Sequence, residues 1–487
     1  MSFPFLSIII FSPVVGALII MALPKEKHLA IKAVALVSAF ISMLLSIYVF
    51  IDYDKVAGGM QFEEQIRWIP SLGISYHLGT DGISLPLLLL TGVIIFCGVL
   101  ISWTQDDRPK EFFAFLLVLV AGVFGVFVAL DLFLLFVYYE LAVLPMYLLI
   151  GGWGWKVTRE YAAMKLTLYL LVGSVIALVG VIAIYFEAGI GSFDIMKLAE
   201  IGFDPGFQYL FFLPIFVGFA VLAGLWPFHT WSPDGHVAAP TAVSMLHAGV
   251  LMKMGAYSAL RVGMFLLPIG AQKWLPWIVI LTAVNVVYGS MVAFAQKDFK
   301  YVIGYSSVSH MGYVAMGLST MTVVGLSGAS LQMFSHGIMT GLFFAVVGLI
   351  YQRTHTRQIP ELGGLARKMP FVATAFIIGG MASMGMPGLS GFVAEFQVLA
   401  GTWKTYPVIA GISLIGIVIT AAYIMKVSYT VFFGPLKAEY EGISAVTVID
   451  KFALFIMAAL LIVVGLFPSI LLDVINTGVV PIVMRLR

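Results

Sequence analysis

Seven ionisable side chains stand inside long apolar runs: Glu140, Lys165, His247, Lys253, His310, His336 and Glu395. Carboxylates, amines and imidazoles accept and release protons near neutral pH when burial and neighbours tune them. Desolvation disfavours the ammonium form of a lysine, which is the property a proton carrier needs. The chemistry this set can do is proton transfer. In chain order the residues could line a polar path, because an unpaired charge in an apolar span costs several kcal/mol, about 3 by insertion scales.

Lys253 is the clearest case. It lies in the second of two apolar runs in FFLPIFVGFAVLAGLWPFHTWSPDGHVAAPTAVSMLHAGVLMKMGAYSALRVG, residues 211–263, with no acidic residue within two turns. The runs are separated at Trp226-Pro227. A proline within a helix removes a backbone donor and clashes with the preceding turn. In lipid such a break survives only where protein or a water-filled cavity satisfies the freed groups. His247 precedes Lys253 by six residues, about 120° round an ideal helix, so a water chain is needed to join them. A lone imidazole there reads equally as a packing residue or a relay. Glu140 and Lys165 fall on successive spans and read as a pair, either a structural ion pair or a proton site. Glu395 follows a second break, at Pro387 with Gly385, Gly388 and Gly391. His229, Asp234 and His236 read as loop contacts or the mouth of a half-channel, since turn aspartates usually serve the backbone.

The elements that must position these groups are helices. The 487 residues are 61% hydrophobic and only 10% charged, against about 25% charged in soluble domains. The expected fold is an all-α integral membrane protein, one transmembrane domain over 1–487. A span needs roughly 20 apolar residues. Fourteen candidates lie near 3–23, 29–50, 82–103, 112–131, 133–150, 161–186, 209–229, 240–266, 274–296, 300–319, 327–351, 370–401, 408–433 and 451–475. Asp131 falls at a tight turn between two of them, and Gly73–His77 alternates like a hairpin strand. The single cysteine, Cys97, allows no internal disulfide and no cysteine-held cluster. The sequence contains no phosphate-binding glycine loop and no basic patch suited to nucleic acid. No cofactor is expected in this chain.

Fifteen Lys and Arg fall in loops after odd-numbered spans and five after even-numbered ones. The positive-inside rule then sets the odd loops in the cytoplasm and both termini outside. Polar positions also recur: Glu140 to His310 is 170 residues, Lys165 to His336 is 171, Lys253 to Lys426 is 173, and Pro227 to Pro387 is 160. These offsets predict two five-helix repeats, 112–266 and 274–433, each with a broken helix. An odd number of spans inverts the second unit, an architecture recurrent in transporters.

The segments YYELAVLPMY (138–147), WPFHTWSPDGHVAAPTAVSMLHAGVLMKMGAY, YSSVSHMGYVAMG, HTRQIPELGGLARKMP, MPGLSGFVAEF and VFFGP carry a resemblance over nearly the whole chain. The sequence resembles the M-chain family of antiporter-like, proton-pumping membrane subunits of NADH:quinone oxidoreductase, respiratory complex I. The resemblance implies a 14-span antiporter-like fold with two inverted repeats. It implies a subunit of a redox-driven proton-translocating enzyme, without a redox centre of its own, in the bacterial inner membrane. Its partners would be neighbouring antiporter-like subunits, the lipid bilayer and the transported proton. Glu140 matches the family's fifth-span glutamate, Lys253 its central lysine, His310 and His336 its connecting histidines, and Glu395 its twelfth-span glutamate. The family's seventh-span lysine, partner of that glutamate, is Leu222 here, and Gly224 stands where a proline is common. The expectation is that Lys165 replaces it as partner of Glu140, with His247 compensating in part. An Mrp-type cation/proton antiporter subunit, without redox coupling, is the alternative.

Overall fold

The computed structural model describes residues 3–486 and is built of helices. Eleven are long and apolar enough to cross a membrane. The first two, α1 (Phe5–Ala22) and α2 (His28–Asp52), lead into a hairpin of β1 (Gln61–Ile69) and β2 (Ile74–Thr80). Then follow α3 (Ser84–Ile101), α4 (Pro109–Val128), α5 (Leu132–Trp153), α6 (Arg159–Ala188), a short α7 (Ile195–Ile201) and α8 (Pro205–Ala223). A broken segment continues as α9 (Trp231–Ala238). The next span is α10 (Thr241–Leu246) and α11 (Met252–Ser258), with π-helical turns at His247–Leu251 and Ala259–Met264. The second half comprises α12 (Pro268–Ala295), α13 (Phe299–Ser319), α14 (Val323–Thr354), α15 (Pro370–Ser383), α16 (Ser390–Thr405) and α17 (Pro407–Val427). A π turn at Ser428–Phe432 ends α17, and α18 (Val448–Leu466) and α19 (Ser469–Arg485) follow.

The expected spans before the last overlap helices, and eleven helices among the described residues have the length and apolarity to cross a membrane. Those outside the eleven are the π-interrupted α10–α11 span, the more polar α13 and the divided α15–α16. The last expected span, 451–475, is corrected. Pro468 ends it, and α19 is a separate helix that packs against α14. Its Arg485 reaches back to the carbonyls of Phe265 and Ala199.

The centre of the bundle is α14. Its apolar stretch is wholly buried, and α3, α10, α13, α15, α16, α18 and α19 pack around it. A helix apolar on every side belongs inside a bundle. By contrast α6 and α17 expose apolar faces (Leu168, Val172, Val175; Ile415, Val418) suited to lipid or a neighbouring subunit.

The hairpin closes one end of the molecule. Its strands pair antiparallel from Gln61↔Thr80 to Ile69↔Ile74, longer than the strand expected at 73–77. Asp131 caps α5, accepting from the amides of Phe133 and Leu134, and also accepts from Ser75 in β2. His77 is buried, with Nδ1 3.0 Å from Asp194 Oδ2 and Nε2 3.2 Å from Glu63 Oε2. Burial alone would lower its pKa, but the hydrogen bonds and charges of Asp194 and Glu63 outweigh burial and raise it. A raised imidazole pKa stabilises the docked hairpin fully below the unfolded value of about 6.5, and that stability is lost as pH rises through the folded value. Amide hydrogen exchange across 61–80, corrected for intrinsic rates, should therefore quicken as pH rises through that window. His77→Gln should abolish the pH dependence.

Candidate proton-transfer site

The first break begins where α8 ends at Gly224, whose φ of 71° is left-handed and suits glycine. The freed backbone groups find partners. Trp226 N donates to Asn285 Oδ1 at 2.6 Å, and Trp231 Nε1 donates to Val221 O at 3.0 Å. This satisfies the condition for irregular backbone at membrane depth. The chain then turns into α9, which places His236 wholly inside the protein.

His236 begins a line of buried titratable groups. Its ring centroid lies 4.0 Å from that of His247, and the indole of Trp231 stacks on His247 at 5.1 Å. Gly235 makes the approach possible, since a Cβ there would stand 3.0 Å from His247 Cε1. The π turn at 247–251 changes the register between His247 and Lys253 from that of an ideal helix. Lys253, with no exposed surface, donates to Ala248 O, and its Nζ lies 2.7 Å from His336 Nδ1 on α14. The His336 ring is 5.3 Å from that of His310 on α13. His310 Nδ1 lies 3.0 Å from Glu395 Oε1 on α16, and its Nε2 lies 3.0 Å from Ser383 Oγ. Gln332 Nε2 reaches both His310 Nδ1 and Glu395 Oε1, at 3.3 and 3.4 Å. The second break serves the carboxylate directly. A Cβ at Gly385, itself left-handed at φ 68°, would lie 3.1 Å from Glu395 Oε2.

Both ring nitrogens of His247, Nδ1 of His236 and Nε2 of His336 have no hydrogen-bond partner among the described residues. Buried polar atoms without protein partners are the sites that ordered water serves. The chemical capacity of this line is stepwise proton transfer through imidazole, amine and carboxylate over five helical segments.

Residues 129–420 match the family described as NADH:quinone oxidoreductase/Mrp antiporter, TM. NADH-quinone oxidoreductase subunit M of Rhodobacter capsulatus is 40% identical, covering 99% of this chain and 96% of its own. NAD(P)H-quinone oxidoreductase chain 4 of Gloeobacter violaceus is 36% identical over 97% of this chain and 91% of its own. A chain of Thermus thermophilus respiratory complex I with bound NADH superposes with a TM-score of 0.90 at 28% identity, covering 98% of this chain and 99% of that one. A chain of the Mrp complex of Dietzia sp. shares the fold, with a TM-score of 0.86 at 19% identity and coverage of 99% and 98%. The chain belongs to the NADH:quinone oxidoreductase/Mrp antiporter membrane-subunit family.

Within this family member two residues depart from the expected pairing. Lys165 does not partner Glu140. Its Nζ lies 2.7 Å from Asp234 Oδ2 on α9, and Tyr301 OH donates to Asp234 Oδ1 at 3.0 Å. Glu140 is half-buried and makes no ion pair or side-chain hydrogen bond among the described residues. It lies on the side of α5 that exposes Val137, Leu144 and Leu148. Leu222 is fully buried and supplies no charge. The Lys253–Lys426 offset joins unlike environments, because Lys426 is exposed and lies over Phe294. Asp234 and His236 are also not loop contacts. The polar turn is a helix, and its two sides serve different clusters. The sequence held one signal for His236: Ser232 stands four residues before it, and the two hydrogen-bond at 3.0 Å along one side of α9.

A double-mutant cycle tests the corrected pairing. Lys165→Ala and Asp234→Asn should couple by about 0.5–1 kcal/mol in thermal stability of the complex, because the pair is only partly shielded. Lys165→Ala and Glu140→Gln should be additive within about 0.5 kcal/mol.

Proposed function

We propose that this chain is the M-type proton-translocating membrane subunit of an NADH:quinone oxidoreductase, moving protons along the buried axis. The observation that carries the reading is the continuous line His236–His247–Lys253–His336–His310–Glu395. Buried ionisable groups in a membrane span are seldom kept for stability alone, since burial costs more than pairing returns. Six such groups in sequence fit a relay better than six isolated structural pairs.

In this reading Lys253 is the central carrier, held at Nζ by Ala248 O and His336 Nδ1. Its proton passes to His336, then through water to His310, which Ser383 helps orient, and on to Glu395, which Gln332 helps orient. We read 112–266 and 274–433 as two repeats, each containing one of the breaks. Support comes from two matched features: each half has a broken span, and each has a following span with a π turn. The charge asymmetry of the loops puts the odd loops in the cytoplasm and both termini on the periplasmic side of a bacterial inner membrane. Electron transfer belongs to other subunits of the complex, as one cysteine cannot hold a cluster. Glu140, alone on a half-exposed face, is read as facing a neighbouring membrane subunit. An Mrp-type antiporter without redox coupling shares the fold, but the subunit M relative is similar at twice the identity.

The test uses the whole complex reconstituted in vesicles. Lys253→Ala and Glu395→Gln should each lower NADH-driven proton pumping at least about tenfold, the scale of losing one acid–base group. NADH oxidation by an artificial electron acceptor should be unchanged. Normal proton stoichiometry in both variants would remove the axis from the mechanism.

A further inference from the structure

A cavity of about 460 Å³ opens beside the axis, lined by Trp155, Ala239, Thr241, Lys300, Tyr351 and Arg357 among others. Its rim comes from segments after the third, fifth, seventh, ninth and eleventh expected spans, all on the basic, inward side. Its floor is Lys300, on the first turn of α13 and buried. Lys300 Nζ donates to Ala239 O at 2.6 Å, to Ser244 Oγ at 3.2 Å and, at the limit of bonding distance, to His236 O at 3.5 Å. The first and last of these are carbonyls at the end of α9, where a cation is favoured. Ser244 Oγ in turn donates to His236 O at 2.9 Å. One side of Lys300 therefore meets the open cavity, and the other meets the residue that begins the axis. Asp298 and Arg357 are paired with each other at 3.3 Å, so neither neutralises Lys300 at contact distance.

We propose that this cavity is the proton-uptake port of the subunit and that Lys300 is the residue through which protons leave its water for the axis. This rests on the reading of the axis given above. Hydronium in the cavity protonates neutral Lys300 and leaves water. The ammonium then gives one proton through a bridging water to Nδ1 of His236, which has no hydrogen-bond partner among the described residues. Lys300 returns to the neutral amine, and the imidazolium of His236 hands its proton to His247 and Lys253.

Lys300→Arg separates transfer from support. Arginine keeps the charge and the donors to Ala239 O, but it does not deprotonate in proteins. In the reconstituted complex Lys300→Arg should lower pumping at least about tenfold, and Lys300→His, which can titrate, should recover most of it. Should the arginine variant not assemble, Lys300→Gln, which retains a donor without a titratable group, decides on the same readout. Independently, Thr241→Cys should react with a membrane-impermeant thiol reagent in inverted vesicles and not in right-side-out ones; native Cys97 is buried. Wild-type pumping in assembled Lys300→Arg or Lys300→Gln, or labelling of Thr241→Cys only from the outer side, overturns the proposal. Lys253→Ala serves as the control. If it pumps normally, the axis itself fails; if it stops pumping while the Lys300 variants pump normally, the port alone fails.

Discussion

The contact on which the molecule turns is that between Lys253 and His336. A lysine with no exposed surface, and no acidic residue among its hydrogen-bond partners, is held by one carbonyl and one imidazole nitrogen. In hydrocarbon that amine would be a heavy cost. It is tolerated here because α14 supplies His336 from the other half of the chain. The same contact joins α11, the span after the first break, to α14 of the second half. The central position of α14, enclosed on every side, follows from this. It must present His336 toward Lys253 and Gln332 toward Glu395, and neither can face lipid.

Irregular backbone is the second requirement. Straight helices would satisfy their own amides and carbonyls and leave the axis lined with aliphatic side chains. Each break instead ends a helix at a left-handed glycine, and each brings polar side chains to mid-span. Gly385 leaves room for the Glu395 carboxylate, and Gly235 for the His247 ring. The π turns do similar work within the span after the first break. The turn at His247–Leu251 rotates His247 relative to Lys253, so that the imidazole stacks on α9 while the amine points to α14. None of these fittings tolerates a larger side chain without displacing a proton-bearing group.

Much of this was legible in the sequence, and the failures have a common physical cause. Apolar length fixed the spans, because the bilayer sets the period directly. The residues of the second half, His310, His336 and Glu395, were found because each interrupts an otherwise apolar helix. Polar residues beside the first break were harder to read. WSPDGH has the composition of a turn, and turn chemistry predicts backbone service for its aspartate. Eight residues of helix with distinct sides leave no periodic signal strong enough to show otherwise. Lys165 was assigned to Glu140 because both lie in neighbouring spans, yet sequence adjacency of spans does not specify which faces meet. Lys300 lies at a helix start, where depth cannot be read from hydropathy.

The short helix α9 therefore carries more of the design than its length suggests. One side holds Asp234, tied to Lys165 on α6 and Tyr301 on α13. The other holds Ser232 and His236, the start of the axis. Its last carbonyls are held by Lys300. Leu222 supplies no charge, and the buried amines nearest the imidazole pair are Lys253 and Lys300. Lys300 and Lys253 flank the imidazole pair from two directions.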